Sequence, residues 1–307
     1  MWTRGKFNNA YVPGLFAYAI DTFINKRGES MWQEMCTVKT SNKKKEENAL
    51  RSGLGFPVLK GEGSPVTFDT QIEGAKQSWV HVVWALAVRI TEEAIEDNLV
   101  ELSGGAEGDL KELFHDLAEA IAENDEVRMA RFLVNGAATT YHSTRNSRAL
   151  FATDHPRLDA STFSNKATSS DLTYDTFWTN LIAAENQYNH RQYRIQKKVK
   201  NLWVPPQYER NATEILKSTD RPDTGNRAIS AYAKSGRKIG LKKWSYLTDE
   251  DAHYFQLDGD GIIRFNRRKT RFAREKDFHT GDMMVKADSR WSAEINDPQG
   301  WYGVIPA

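Results

Sequence analysis

The chain has 307 residues, 39% of them hydrophobic and 27% charged. That suffices for one large domain or two modest ones with a lean core. A net charge of +1 excludes a dedicated nucleic-acid-binding domain, which needs excess Lys and Arg against phosphates. The single cysteine, Cys36, excludes intrachain disulfides and Cys-based zinc sites. With no apolar run of membrane-spanning length, a soluble protein of a reducing cytoplasm is expected, with no membrane partner.

Residues 1–33 hold Phe7, Tyr11, Val12, Leu15, Phe16, Tyr18, Phe23 and Ile24 without a long clean period. Ala17 to Ile24 predicts one short helix. Two fates stand open: an element packing on its own core, or an arm packing on a neighbouring subunit. In residues 34–77, Glu34–Val38 and Val66–Ile72 read as strands. Between them lie Lys43, Lys44, Lys45, Glu46, Glu47 and a series of Gly and Pro, a hairpin of about 40 residues with almost no apolar face. Either it is disordered, or it is a projecting ribbon stabilised by other chains; the second reading is favoured. The three lysines are expected at its tip, for solubility.

The stretch from Trp79 to Gly136 organises the chain. Val80, Val82, Trp84, Leu86, Val88 and Ile90 alternate with other residues, the period of a half-buried strand. Thr91, Glu92 and Glu93 then form a helix start, followed by Ala94, Ile95 and Leu99. Ser103-Gly104-Gly105 interrupts. Asp109 caps a second run in which Leu110, Leu113, Phe114, Leu117 and Ile121 recur at helical spacing up to Asn135-Gly136. That helix is about 40 Å long. The strand from Ser78 to Ile90 is of like length, about 43 Å.

Beyond Gly136 the composition shifts to Ser, Thr, Asn and Ala. Leu172–Tyr188 reads as a helix, Val199–Val204 as a buried strand and Pro206 as the start of another helix. Ile239–Trp244 reads as a further strand. Together they fit a compact α/β unit over 137–247. Tyr254–Leu257 and Ile262–Phe265 flank Asp258-Gly259-Asp260-Gly261 and predict a hairpin. A second long strand follows, with Met283, Val285, Ala287, Trp291, Ala293 and Ile295 alternating with polar residues. One long helix and two long strands from opposite ends of the chain suggest an elongated slab in an α+β fold.

Enzyme motifs are absent from the sequence. Asp154-His155-Pro156 comes with no nucleophile pattern and reads as a turn, although a hydrolase using His155 is the remote alternative. Asp258–Gly261 fails as a calcium loop because Ile262 and Lys269 fall where ligand oxygens are needed. No cofactor or metal is expected. Arg267, Arg268, Lys269 and Arg271 form a basic run with three open fates: a solvated loop, a contact with acidic surface such as Glu92, Glu93, Glu96 and Asp97 of another copy, or a weak DNA contact.

Several segments together resemble the major capsid proteins of tailed bacteriophages with the HK97-type fold, in particular the Mu-type major head subunit. They are Trp84–Asn98, Leu150–Pro156, Leu202–Pro206 with Ala212–Ser218, Tyr246–Asp249, and Lys286–Arg290 with Asp297–Gly300. They occur in family order over about 220 residues. The resemblance implies an N-arm (1–33), an extended E-loop hairpin (34–77), a peripheral domain with a spine helix (78–136 and 248–307) and an axial domain (137–247). It implies self-assembly into pentamers and hexamers of an icosahedral shell around double-stranded DNA. An encapsulin-like compartment is the alternative. Lys43, Lys44, Lys45, Glu92, Glu93, Glu96, Arg267, Arg268, Lys269 and Arg271 become candidate inter-subunit contacts. Lys43, Lys44, Lys45 and Lys60 are candidates for a covalent cross-link by location only. The implied partners are a separate scaffold, since no long helical N-terminal scaffolding region is present, a portal, a decoration protein and weakly held DNA. The implied locations are the virion and, during assembly, the host cytoplasm.

Overall fold

The computed structural model describes residues 4–93, 109–167, 170–221 and 229–305. The first part holds helices α1 (Arg4–Gly28) and α2 (Trp32–Met35), strands β1 (Thr37–Thr40), β2 (Lys45–Arg51), β3 (Glu73–Val80) and β4 (Val82–Ile90), and the long helix α3 (Asp109–Val134). Then come β5 (His155–Pro156), β6 (Thr162–Phe163), β7 (Lys166–Ala167), α4 (Tyr174–Glu185), β8 (Val199–Val204), α5 (Glu209–Lys217) and α6 (Ala231–Lys234). The chain closes with β9 (Gly240–Lys243), β10 (His253–Leu257), β11 (Ile262–Lys276), β12 (Met283–Ile295) and β13 (Trp301–Val304).

Two larger sheets result, with strand orders β1-β11-β12-β4 and β7-β13-β10-β8-β9. In the first, alternation puts Met283, Val285 and Ala287 of β12 on one face. Phe114, Leu117, Ala118 and Ile121 of α3 meet them there, together with Leu15, Ala19 and Phe23 of α1. Residues 14–28 of α1 therefore pack on the chain's own core. The helix is much longer than Ala17–Ile24, and its stripe was hard to read because small Ala19 fills a contact position. Farther along, Met129, Phe132 and Leu133 of α3 enter a second cluster with Trp32, Trp203, Trp244, Trp291 and Trp301. The helix thus spans both sheets. Cys36 lies beside this cluster, and burial pushes its thiol up to about 12.

The expected hairpin around Asp258–Gly261 does not form. β10 pairs with β8 on one side and β13 on the other, so neither edge is left for β11. The turn is a corner that sends the chain from one sheet to the other. Gly259 has φ +115°, and Gly261 lies so close to Gly300 and Trp301 that a Cβ would clash. Asp260 accepts hydrogen bonds from Thr37 Oγ1 (2.7 Å) and Lys39 Nζ (3.0 Å), which ties the corner to β1.

The predicted strand Ser78–Ile90 is two strands. β4 pairs antiparallel with β12, while β3 leaves the sheet to form a two-stranded ribbon with β2. His81 sits at the split, buried, with Nδ1 2.9 Å from Ser292 Oγ and Nε2 3.1 Å from Ser41 Oγ. The ribbon strands differ from the expected ones. Glu34–Val38 is divided between α2 and β1, and Val66–Ile72 is not a strand. β1 instead pairs parallel with β11 at the sheet edge.

Two buried polar clusters brace the body. Arg264 donates to Asp125 Oδ2 at 2.7 Å and to Asn266 Oδ1 at 3.1 Å. Its guanidinium lies 3.9 Å from the ring centre of Trp32 and 4.0 Å from that of Trp291, a cation between two aromatic faces. Asn165, fully buried, donates through Nδ2 to the carbonyls of Leu150 (2.7 Å) and Pro298 (2.9 Å). Its Oδ1 accepts from Ala152 N at 3.0 Å.

Candidate assembly surface

The reading of His155 as a base finds no support in its surroundings. The ring is buried and stacks on Phe163, and Nε2 faces two acceptors, Leu150 O at 3.1 Å and Asn165 Oδ1 at 3.0 Å. Nε2 therefore carries the proton and donates, and burial holds the imidazole below its usual pKa. Neighbouring Asp154 pairs with Arg148 at 2.9 Å. The three residues form a structural knot. His115, Asp116 and Glu119 of α3 come within metal-ligand reach of one another, but Glu119 is engaged by Lys26 of α1 at 2.5 Å. Among the described residues, no helix is long and apolar enough to cross a membrane.

What the structure leaves uncovered is apolar. The loop joining β2 to β3 exposes Leu54, Phe56, Val58, Leu59, Val66 and Phe68; Leu59 is 97% exposed and Phe68 94%. The expectation of a hairpin with almost no apolar face is thereby corrected: Leu54, Phe56, Val58 and Leu59 lie among the Gly and Pro residues that drew the reading. On the edge strand β4, Val82, Val83 and Leu86 are exposed although the alternation suggested one covered face. Phe278 stands 96% exposed in the turn between β11 and β12. Patches of this kind mark contact with other molecules.

The charged candidates divide. Lys43, Lys44 and Lys45 are at the root of the ribbon and not at its tip, because β2 begins at Lys45, opposite Val80. Lys43 pairs with Glu46 at 3.4 Å, and Lys45 with Glu47. Arg268 and Arg271 both close on buried Asp288 of β12, the latter at 2.8 Å. Arg267 donates to Ser41 O and Asn42 Oδ1, both at 3.3 Å. The basic run is thus part of strand β11 and not a loop. Glu92 pairs with Lys276 at 2.7 Å. Lys44, Glu93 and Lys269 are exposed, with no ion pair among the described residues. Glu96 and Asp97 lie outside the described residues.

Near the ribbon root, burial pushes the carboxyl of Glu294 of β12 up to about 7. Gln77 Nε2 of β3 is 3.5 Å from it and donates to Ser143 O at 3.0 Å.

No protein-family model matches the sequence, and no curated protein matches it. Solved structures do. The capsid of cyanophage P-SCSP1u is 12% identical and covers 91% of this chain and 88% of that one, with a TM-score of 0.56. The chain has the fold of phage capsid subunits. The HK97-type architecture also relates it to the capsid of Myoviridae phage XM1, at 10% identity, 91% and 92% coverage and a TM-score of 0.54. A virus-like particle from Pyrococcus furiosus matches at 8% identity, with 94% and 98% coverage and a TM-score of 0.52. At such identities the likeness is one of fold.

Proposed function

We propose that this chain is the major head subunit of a tailed phage, assembling with its own copies into an icosahedral shell around double-stranded DNA. One observation carries the reading: a chain with the HK97-type fold along nearly its whole length presents a loop of large apolar residues that its own body does not cover. Such a surface costs solubility in a monomer and is satisfied by a second copy. Weak contacts repeated over many subunits then close a stable shell.

In this reading the ribbon and its loop are the E-loop, and α3 is the spine helix. The four-stranded sheet with α1 and α3 forms the peripheral domain. The five-stranded sheet with α4 and α5 forms the axial domain around the pentamer and hexamer axes. The motifs in Leu150–Pro156 and Asp297–Gly300 support the Mu-type branch. Lys44, Glu93 and Lys269 are the best placed of the charged contacts, because they have no partner to give up among the described residues. Glu96 belongs with them by sequence. A separate scaffold, a portal and a decoration protein complete the proposed partners, with weak DNA contact at +1 net charge. The virion is the location, reached from the host cytoplasm.

The test is to express the chain, alone and with its gene neighbours, and examine it by sedimentation and negative-stain electron microscopy. Closed shells or capsomer rings are expected. A monomer under every condition overturns the proposal. The match to a virus-like particle favours a second reading, a shell enclosing protein cargo. Nuclease-protected DNA inside particles made during infection separates the two.

A further inference from the structure

The apolar loop is held at one point. Among the described residues, every side-chain hydrogen bond from residues 52–72 to the rest of the chain ends on Arg191. Its Nη1 donates to Asp69 Oδ2 at 2.9 Å, its Nη2 to Thr70 O at 2.6 Å and its Nε to Ser52 Oγ at 3.4 Å. Asp69 Oδ2 also accepts from Gly55 N at 2.6 Å, so one carboxylate joins both sides of the loop. Ser52 and Ile72 close it further: Ser52 N donates to Ile72 O at 3.1 Å and Ile72 N to Ser52 Oγ at 3.0 Å. Beside the guanidinium, Phe56 packs on Tyr193 with ring centres 4.1 Å apart.

Arg191 is itself fixed. It lies in a tight turn between α4 and β8, where Asn189 Oδ1 accepts from the backbone N–H of Arg191 (2.9 Å) and of Tyr193 (2.8 Å). Gln192 takes φ +60°, the left-handed region that a non-glycine residue enters only when its surroundings hold it there. Its side chain donates to Asp159 Oδ2 at 2.8 Å, and Gln299 Nε2 donates to Tyr188 O at 2.6 Å. The planar fork of an arginine suits such a task, because it holds several acceptors in one geometry.

The clamp takes the polar groups of the loop and, of its large apolar side chains, Phe56. Leu59 and Phe68, beyond it, stay almost fully exposed. A contact evolved for the subunit's own stability would cover them. We propose that Arg191 is a positioning residue for assembly: it fastens the loop to its own subunit at one angle, so that the apolar side chains reach a second copy already ordered. This rests on the shell reading. Ordering the loop beforehand removes the penalty of a binding-competent state that is only partly populated.

The full-length Arg191→Ala and Arg191→Lys variants test this against wild type. In unassembled subunits, amide exchange at Gly55 and Ile72 is expected to rise about tenfold in Arg191→Ala while the unfolding temperature stays put. The concentration at which particles appear by light scattering should rise several-fold, about fivefold. Arg191→Lys keeps the charge without the fork and should fall between the two. Unchanged exchange at Gly55 would mean there is no clamp. Faster exchange with an unchanged assembly threshold would mean that the clamp positions nothing. A lower threshold would reverse its role, making it a restraint on assembly. If wild type itself never assembles, while exchange still differs between the variants, the shell reading fails and takes this role with it.

Discussion

The inner strands of the five-stranded sheet are closed to solvent, whereas edge strand β4 of the four-stranded sheet is open, although aromatic and branched residues line both. In the first, β13 is buried throughout and β8 everywhere except Lys200. Helix α4 covers it through Phe177 and Leu181, which join Val204, Phe255 and Tyr302 in one cluster. In the second, the helices cover one face of β12, while β4 at the edge keeps Val82, Val83 and Leu86 in water. The difference shows where this chain spends its apolar residues. One sheet anchors the fold, and the other keeps apolar surface available for contact.

Four experiments break or sharpen that contrast. Trp203→Ala in the closed sheet should cost about 3–5 kcal/mol, since a fully buried indole leaves a cavity. Thermal unfolding by circular dichroism reads the loss directly. Next, Asp125→Ala should cost about 3 kcal/mol or more by stranding the buried Arg264 charge. Adding Arg264→Met should recover most of it in urea unfolding, which distinguishes a lost partner from lost packing.

The third experiment is a pH titration. Glu294, on the open sheet, has a folded pKa of about 7, raised from 4.5. The folded state then holds the extra proton between those values, and the contribution of Glu294 to stability falls by about 1 kcal/mol per pH unit as pH rises through that window. His253, on the closed sheet, is pushed down to about 3 by burial. Its contribution has the opposite sign: it is complete above 6.5 and is lost as pH falls toward 3. The two windows overlap between pH 4.5 and 6.5, where the slopes oppose each other; Glu294→Gln should therefore steepen the rise of stability with pH there, and His253→Phe should turn it toward a fall, as measured by urea unfolding between pH 4 and pH 8. The smallest effect on stability belongs to Leu86→Ser and Leu59→Ser, within about 0.5 kcal/mol because both are exposed. Both should nevertheless lower particle yield in sedimentation; unchanged yield for both would remove the open surfaces from the assembly account.

Legibility in the sequence followed how local the cause was. The long helix and β12 agree with their expected bounds to within a residue or two, because one periodicity persists over many turns or pleats. The Asp-Gly corner was misread because its outcome depends on β8 and β13, which occupy both edges of β10 from far along the chain. The same distance hid the break at His81, where partners at Ser41 and Ser292 decide that one alternating run becomes two strands. In the ribbon, the lysines looked like a loop tip because charge was visible and pairing was not. Arg191 carried no pattern at all. Its role appears only once the chain brings Asp69, Thr70 and Ser52 around it.

Cys36 has a consequence for the life of such a particle. Thiol chemistry runs through the thiolate, and a thiol at about 12 supplies almost none at neutral pH. It is also the only sulfhydryl in the chain. A head built as proposed would be assembled in a reducing cell and released into oxidising water. With its one thiol held unreactive, the subunit would form no disulfide on passing from one medium to the other.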